Sequence, residues 1–220
     1  MYRFVTIISI LVCFLPIIVV SVKRLWKERL YLLIALYWLL NGLINIADLF
    51  NFRFDPKVDG YITLVANYLD VPIVLLIFYM ASEGLYRKVV KITLFSFIGF
   101  ELIITLIKGF NFEAVTIILG ASLVIIIGFS IAGIVTYFTR MQHTLREEVM
   151  VFVYSSFLFF YGSFIIVYVF SYIIVNGNDS DNFFIYYLEL LLASLPVTYG
   201  FLKFARIGSP ARTRSTMDGF

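Results

Sequence analysis

The chain has 220 residues, of which 62% are hydrophobic and only 14% charged, with a mean hydropathy of +0.98. Soluble domains carry about 25% charged residues, so this composition excludes a soluble globular protein and indicates lipid as the solvent. The net charge of +3 is too small to indicate nucleic-acid binding. A single cysteine, Cys13, and a single histidine, His143, exclude a disulfide framework, a thiolate zinc site and haem held by two histidines.

Seven stretches of about 20 apolar residues are long enough to cross the hydrocarbon core as α-helices. The first runs directly into basic residues and has no small-residue cleavage site, so we interpret it as an uncleaved span and not as a signal peptide. The sequence predicts an all-α polytopic membrane protein, with a seven-transmembrane-helix bundle over residues 1–204 and a disordered cytoplasmic tail over 205–220. The predicted spans are residues 4–22, 30–50, 61–82, 90–108, 114–138, 149–175 and 183–204.

Basic residues concentrate in alternate connections. Because Lys and Arg favour cytoplasmic loops, we expect the N-terminus outside and the C-terminus in the cytoplasm. Heavy use of Ile, Phe, Tyr and Asn is compatible with an AT-rich bacterium, so the predicted location is the bacterial inner (plasma) membrane. The thirteen basic residues of the inner segments are Lys23, Arg24, Lys27, Arg29, Arg87, Lys88, Lys91, Arg140, Arg146, Lys203, Arg206, Arg212 and Arg214, and the four of the outer segments are Arg3, Arg53, Lys57 and Lys108.

Polar residues recur on single faces of two predicted spans. In the second span, Asn41, Asn45 and Asp48 have the i, i+4, i+7 spacing of one helix face. In the third span, Asn67 and Asp70 share a face at i, i+3. Ionisable groups are costly within hydrocarbon, so each is a candidate functional residue.

Two more acids lie in the same outer half of the membrane. A rise of 1.5 Å per residue puts Asp70, Glu101 and Glu189 roughly 9–13 Å from the outer helix ends. The sequence has no Lys or Arg deep in this layer, so we expect these acids to be partly protonated or to share a cation. It therefore predicts an outward-facing acidic pocket for a cation, a proton or an amine-bearing ligand. The candidate site residues are Asp70, Glu189, Glu101, Asn67, Asn45, Asn41, Asp48 and Tyr68.

A structural role is the alternative for the same residues, because asparagine and acidic side chains can join membrane helices by hydrogen bonds. Small residues such as Gly128 and Ala132, one turn apart, favour close helix packing and a homo-oligomer. Several tyrosines could line a pocket or anchor the helix ends at the membrane interface. These are Tyr61, Tyr68, Tyr79, Tyr161, Tyr168, Tyr172, Tyr186, Tyr187 and Tyr199.

The segment Asn67-Tyr68-Leu69-Asp70 resembles the aromatic-x-Asp counterion stretch in the third helix of microbial rhodopsins. Glu189, in the seventh span, is similar to their second counterion. The resemblance covers a handful of residues, and Ala193 stands where those proteins carry the retinal-binding lysine. What it implies is a retinal-protein-like bundle that lacks the Schiff-base lysine and cannot bind retinal covalently.

Three functions remain open. The first is a seven-helix sensor or receptor-like protein that binds a small ligand or cation in the acidic pocket, while its basic loops contact a cytoplasmic partner protein. The second is a small transporter or proton/cation conductor that uses Asp70, Glu101 and Glu189. The third is a membrane enzyme, which ranks lowest for want of catalytic residues, and a retinal-protein-like bundle is a further alternative. Because His143 lies in a predicted loop and no G-x-S-x-G motif is present, we expect no enzyme activity, no cofactor and no metal site. The expected partners are the lipid bilayer, a small cationic ligand or proton, a cytoplasmic protein and a second copy of the chain.

Overall fold

Helices make up almost all of the computed structural model, which describes residues 2–49, 56–170 and 179–207. Within these ranges there is no β-strand, and seven helical segments are long and apolar enough to cross a membrane. The predicted all-α class and the number of spans are confirmed. The helices are α1 (Tyr2–Cys13), α2 (Leu15–Val22), α3 (Arg29–Leu49), α4 (Pro56–Ala81), α5 (Gly84–Lys108), α6 (Phe112–Thr139), α7 (Leu145–Tyr168) and α8 (Asp179–Ile207), with a 3₁₀ turn at Leu25–Lys27.

The first span is broken into α1 and α2 at Phe14. Pro16 lies in the first turn of α2, where its missing N–H costs no helix hydrogen bond. After α2, Arg24 adopts a left-handed conformation with φ 56°, which lets the chain reverse into α3. Pro72 in α4 and Pro196 in α8 lie inside continuous helices.

Local capping residues set helix ends that hydropathy places only approximately. The side chain of Asn111 accepts a hydrogen bond from the Ala114 N–H at the start of α6. Thr144 and Glu147 form a capping box, so α7 begins at Leu145, four residues before the predicted span. Helix α5 starts at Gly84, six residues early, because its basic first turns extend beyond the apolar stretch.

The spans close into a ring in which each helix packs on its neighbour. Helices α1 and α2 pack on α3 and α8, α3 on α4, α4 on α6, α6 on α7, and α7 on α8. Helix α5 lies outside this ring against α4 and α6. Short connections make successive spans antiparallel. We call the end of the bundle where α1 begins the first end, and the opposite end, with the Leu25–Lys27 turn and residues 140–144, the second end.

Among the described residues, ion pairs lie at the helix ends and not within the bundle. Each involves at least one side chain that is more than a third exposed, and such pairs contribute at most about 1 kcal/mol. The described residues therefore depend on apolar and aromatic packing for stability. The ion pairs are Lys108–Glu113 at the first end and Arg140–Glu147 and Lys203–Glu148 at the second.

Two glycines of α6 leave room for tyrosine side chains of α7. A Cβ atom added at Gly133 would lie 2.7–2.9 Å from ring atoms of Tyr154, and one at Gly120 would lie 2.6 Å from the Tyr168 hydroxyl. Gly128, by contrast, has nothing within 4 Å of such an atom. Close packing within the chain therefore uses Gly120 and Gly133, and a homo-oligomer through Gly128 stays a prediction.

Substituting Gly133 should loosen the contact between α6 and α7. We expect Gly133→Ala to destabilise the protein by about 1–3 kcal/mol, because the new methyl group overpacks the Tyr154 ring. Gly128→Ala is the matched control in the same helix, and it should be neutral or stabilising by about 0.5–1 kcal/mol. Thermal unfolding of both variants in detergent measures the difference, and equal midpoints would contradict the contact.

Candidate ligand-binding site

A cavity of about 710 Å³ lies in the first-end half of the bundle, between α3, α4, α7 and α8. We call it the Asp70 cavity, because Asp70 is the one charged residue among its described lining residues. Its size is that of a site for a small molecule. The lining residues are Tyr37, Leu40, Asn41, Ile44, Asn45, Tyr61, Ile62, Thr63, Val65, Ala66, Asn67, Leu69, Asp70, Ile73, Leu119, Phe160, Tyr161, Phe164, Val167, Tyr186 and Tyr187.

One wall is the polar face of α3, where Tyr37, Asn41 and Asn45 follow each other at i, i+4, i+8. The Asn41 amide donates to the Tyr37 carbonyl at 3.0 Å, and the Asn45 amide donates to the Asn41 carbonyl at 2.7 Å. The Asn45 amide also donates to the Tyr186 hydroxyl of α8 at 3.2 Å. Asn45 therefore joins two helices, as the structural alternative expects, while it also lines the cavity.

The neighbouring wall, on α4, carries the charged group. Asp70 of α4 accepts a hydrogen bond from the Tyr161 hydroxyl of α7 at 2.5 Å. The hydroxyls of Tyr161 and Tyr37 lie 3.4 Å apart, and Tyr37 also lies close to Asp70. Two tyrosines from two other helices thus hold the carboxyl group of Asp70 at the cavity surface. Asn67 lies one turn away on the same wall.

Aromatic and aliphatic side chains pack together beside the cavity and on its second-end side. Trp38, Leu75, Phe78 and Phe157 are all 0% exposed. The rings of Trp38 and Phe157 are stacked with centroids 6.4 Å apart, and Phe78 meets Phe157 edge-on at 5.6 Å. We call these four residues the apolar floor. No titratable group belongs to it.

Tyr68 and Glu101 are turned away from the cavity lining. The Tyr68 hydroxyl lies 2.8 Å from the Thr105 hydroxyl of α5, and its ring stacks on Phe110 at 4.9 Å. Glu101 continues the buried face of α5 formed by Val90, Leu94 and Phe97. It is 6% exposed, its Oε1 has no hydrogen-bond partner among the described residues, and its carboxyl group interacts electrostatically with Asp70.

Glu189 of α8 also lies outside the lining. It is 3% exposed, and within the described part of the chain neither carboxyl oxygen has a hydrogen-bond partner. It shares a helix face with Ala193 and Gly200 at i, i+4, i+11. The Ala193 carbonyl accepts a hydrogen bond from Ser156 of α7. A Cβ atom added at Gly200 would lie 3.3 Å from Phe152, which is also in α7. Glu189 therefore stands on the side of α8 that faces α7.

The structure brings Asn41, Asn45, Asn67 and Asp70 together around one cavity. It puts Tyr68, Glu101 and Glu189 elsewhere in the bundle, and the Asp48 side chain lies outside the described residues. Four of the tyrosines named from the sequence, Tyr61, Tyr161, Tyr186 and Tyr187, line the cavity. Tyr37 was missed, although its position four residues before Asn41 puts it on the polar face of α3.

The polar groups around the Asp70 cavity are few, and they come from different helices. Among the described residues, no group of three or more His, Cys, Asp or Glu side chains is placed to hold a metal ion. The cavity offers one carboxylate, three amides, a threonine and several phenol rings. Such a lining can bind a cation through charge and through ring faces.

Comparison with protein-family models, with curated proteins and with solved structures finds no match to this chain.

The hydrogen bond between Tyr161 and Asp70 should be measurable by a double-mutant cycle. We expect Tyr161→Phe to destabilise the protein by about 1–3 kcal/mol, because the half-buried carboxyl group of Asp70 loses its donor. In an Asp70→Asn background the same substitution should cost less, with a coupling energy of about 0.5–3 kcal/mol. Tyr199→Phe, at an exposed position, is the control. Additive effects of the two substitutions on thermal unfolding would argue against the bond.

Proposed function

We propose that this protein is a membrane sensor or receptor-like protein that binds a small, positively charged ligand in the Asp70 cavity. The observation that carries the proposal is a single carboxylate facing a cavity otherwise lined by apolar, amide and phenol groups. At 4 Å, a cation and a carboxylate attract by about 4 kcal/mol at an effective dielectric constant of 20. Ring faces of Tyr37, Phe160 or Tyr186 can add about 0.5–2 kcal/mol.

The apolar floor favours sensing over conduction. On the second-end side of the Asp70 cavity, Leu75, Phe78 and Phe157 are fully buried and offer a proton or cation no carboxylate. Conduction needs polar or charged groups along the path. A transporter or conductor remains the alternative, and measurement of flux distinguishes it from a sensor.

A second cavity, of about 410 Å³, supports contact with a partner at the second end. It lies between the end of α4 and the connection from α6 to α7, and both signs of charge line it through Glu83, Arg140, Arg146 and Glu147. The His143 ring stacks on Tyr137 at its edge, with centroids 3.9 Å apart. A surface with both signs of charge can bind a cytoplasmic protein, which would respond to a change in the arrangement of the helices.

The proposed orientation puts the Asp70 cavity toward the outside of a bacterial plasma membrane and the second end in the cytoplasm. Single cysteines at the two ends test it, because Cys13 is buried and provides an unreactive background. In intact cells, Glu113→Cys should react with a membrane-impermeant maleimide, and Gln142→Cys should react only after the cells are opened. The reverse pattern would invert the topology and the proposed direction of sensing.

Binding of a cation should depend on Asp70. We expect radiolabelled phenethylamine or dodecylamine to bind saturably to the protein in nanodiscs, and Asp70→Asn to weaken binding at least tenfold. Glu113→Gln, which removes an exposed acid at the first end, should leave affinity unchanged. If neither amine binds in an Asp70-dependent manner, the proposal fails. If either amine, or a proton, crosses proteoliposomes in an Asp70-dependent manner, the transporter alternative replaces the sensor.

A further inference from the structure

One side of the Asp70 cavity is formed by residues that also face outward from the bundle. Leu40 of α3 and Ile62, Val65 and Leu69 of α4 line the cavity, yet they are 43–51% exposed. The lining residues of α7 and α8 are less exposed to the surroundings than these four, and Tyr161 and Tyr187 are at most 5% exposed. The cavity is therefore enclosed by α7 and α8 and reaches the surface between α3 and α4.

That surface belongs to the hydrocarbon layer. On α3, exposed leucines at 36, 40 and 43 form one stripe, and on α4 the exposed apolar residues Ile62, Val65 and Leu69 form another. The α4 stripe covers eight residues, or about 10 Å along the axis, inside the candidate membrane span Gly60–Ala81. Lipid chains contact such stripes, so the gap between α3 and α4 faces the bilayer interior. We call Leu40, Ile62, Val65 and Leu69 the lateral rim.

Polarity rises from the lateral rim inward. The rim consists of Leu, Ile and Val, whereas the inner wall carries Asn41, Asn67 and Asp70. A molecule with an apolar chain and a cationic head matches both parts, with its head at Asp70 and its chain along the rim. The four apolar side chains of the rim offer a small hydrated ammonium ion nothing to replace its water.

We infer that the ligand is a single-chain amphiphilic amine that reaches Asp70 sideways from the bilayer, through the gap between α3 and α4. This inference rests on the proposed cation binding at Asp70 and specifies its ligand class. The volume of about 710 Å³ holds a ligand of that kind. Bilayer-dissolved amines are concentrated next to the rim, which raises their rate of encounter with the cavity.

A series of primary n-alkylamines from propylamine to hexadecylamine tests the inference on the full chain in nanodiscs. Affinity, referred to the aqueous amine concentration, should rise about fourfold per methylene over the first ten or so carbons, which corresponds to ~0.8 kcal/mol each. Counting the amine bound to empty nanodiscs corrects for partition into lipid. Asp70→Asn should lower the affinity for every member of the series.

The route is tested by narrowing the lateral rim. Leu69→Trp should slow association of dodecylamine at least fivefold, with little change in thermal stability. Ile103→Trp, at a 57% exposed position on α5 away from the cavity, is the matched control and should leave the rate unchanged. Val65→Trp serves as a second rim variant if Leu69→Trp does not fold.

The outcomes separate the inference from the proposed function. Asp70-dependent binding with equal affinity across chain lengths, and association unaffected by rim substitution, would leave a cation site but overturn the lateral route. Loss of Asp70 dependence for all amines overturns both. Leu69→Cys that forms a disulfide between two copies in membranes would show that a second copy covers the rim, and it too would overturn the lateral route.

Discussion

The placement of the half-buried Asp70 carboxyl group within an apolar bundle is the constraint on which the site depends. A carboxyl group removed from water is costly without hydrogen-bond donors, and Asp70 receives them from other helices. Tyr161 of α7 supplies one at 2.5 Å, and Tyr37 of α3 lies within reach of both. Three helices are thereby held around a single group, and the space that remains between them is the Asp70 cavity. The hydrogen bonds to Asp70 and the cavity beside it therefore depend on the same arrangement of helices.

Glu101 and Glu189 differ from Asp70 in their surroundings. Both are at least nine-tenths buried, yet the described contacts offer one oxygen of Glu101 and both oxygens of Glu189 no donor. Neither faces the cavity, so neither competes with Asp70 as the counterion of a bound cation. Packing does not explain why an acid occupies either position. The proposed cation site therefore has Asp70 as its acid, and these two acids stay candidates for a proton-linked role.

Hydropathy alone predicts the seven spans, because a run of apolar residues is a property of the local sequence. The polar face of α3 is equally visible in the spacing of Asn41 and Asn45. Depth in the membrane, however, does not specify which way a side chain points around the helix axis. Glu101 and Glu189 lie at nearly the depth of Asp70 but face other neighbours, and only the packing of α5 and α8 reveals this. The pairing of Tyr161 with Asp70 joins residues 91 positions apart and has no sequence signal.

The position of the cavity suggests how binding of the proposed ligand would change the other end of the bundle. A ligand between α3 and α4 would alter the spacing of two helices that are only loosely enclosed at the lateral rim. Helix α4 ends at Ala81, and the Met80 carbonyl accepts a hydrogen bond from Arg146 at the start of α7. Helices are stiff over this length, so a shift of α4 at Asp70 would strain the hydrogen bond between Arg146 and the Met80 carbonyl. In the proposed sensor, movement of helices would therefore carry the effect of ligand binding to the second end.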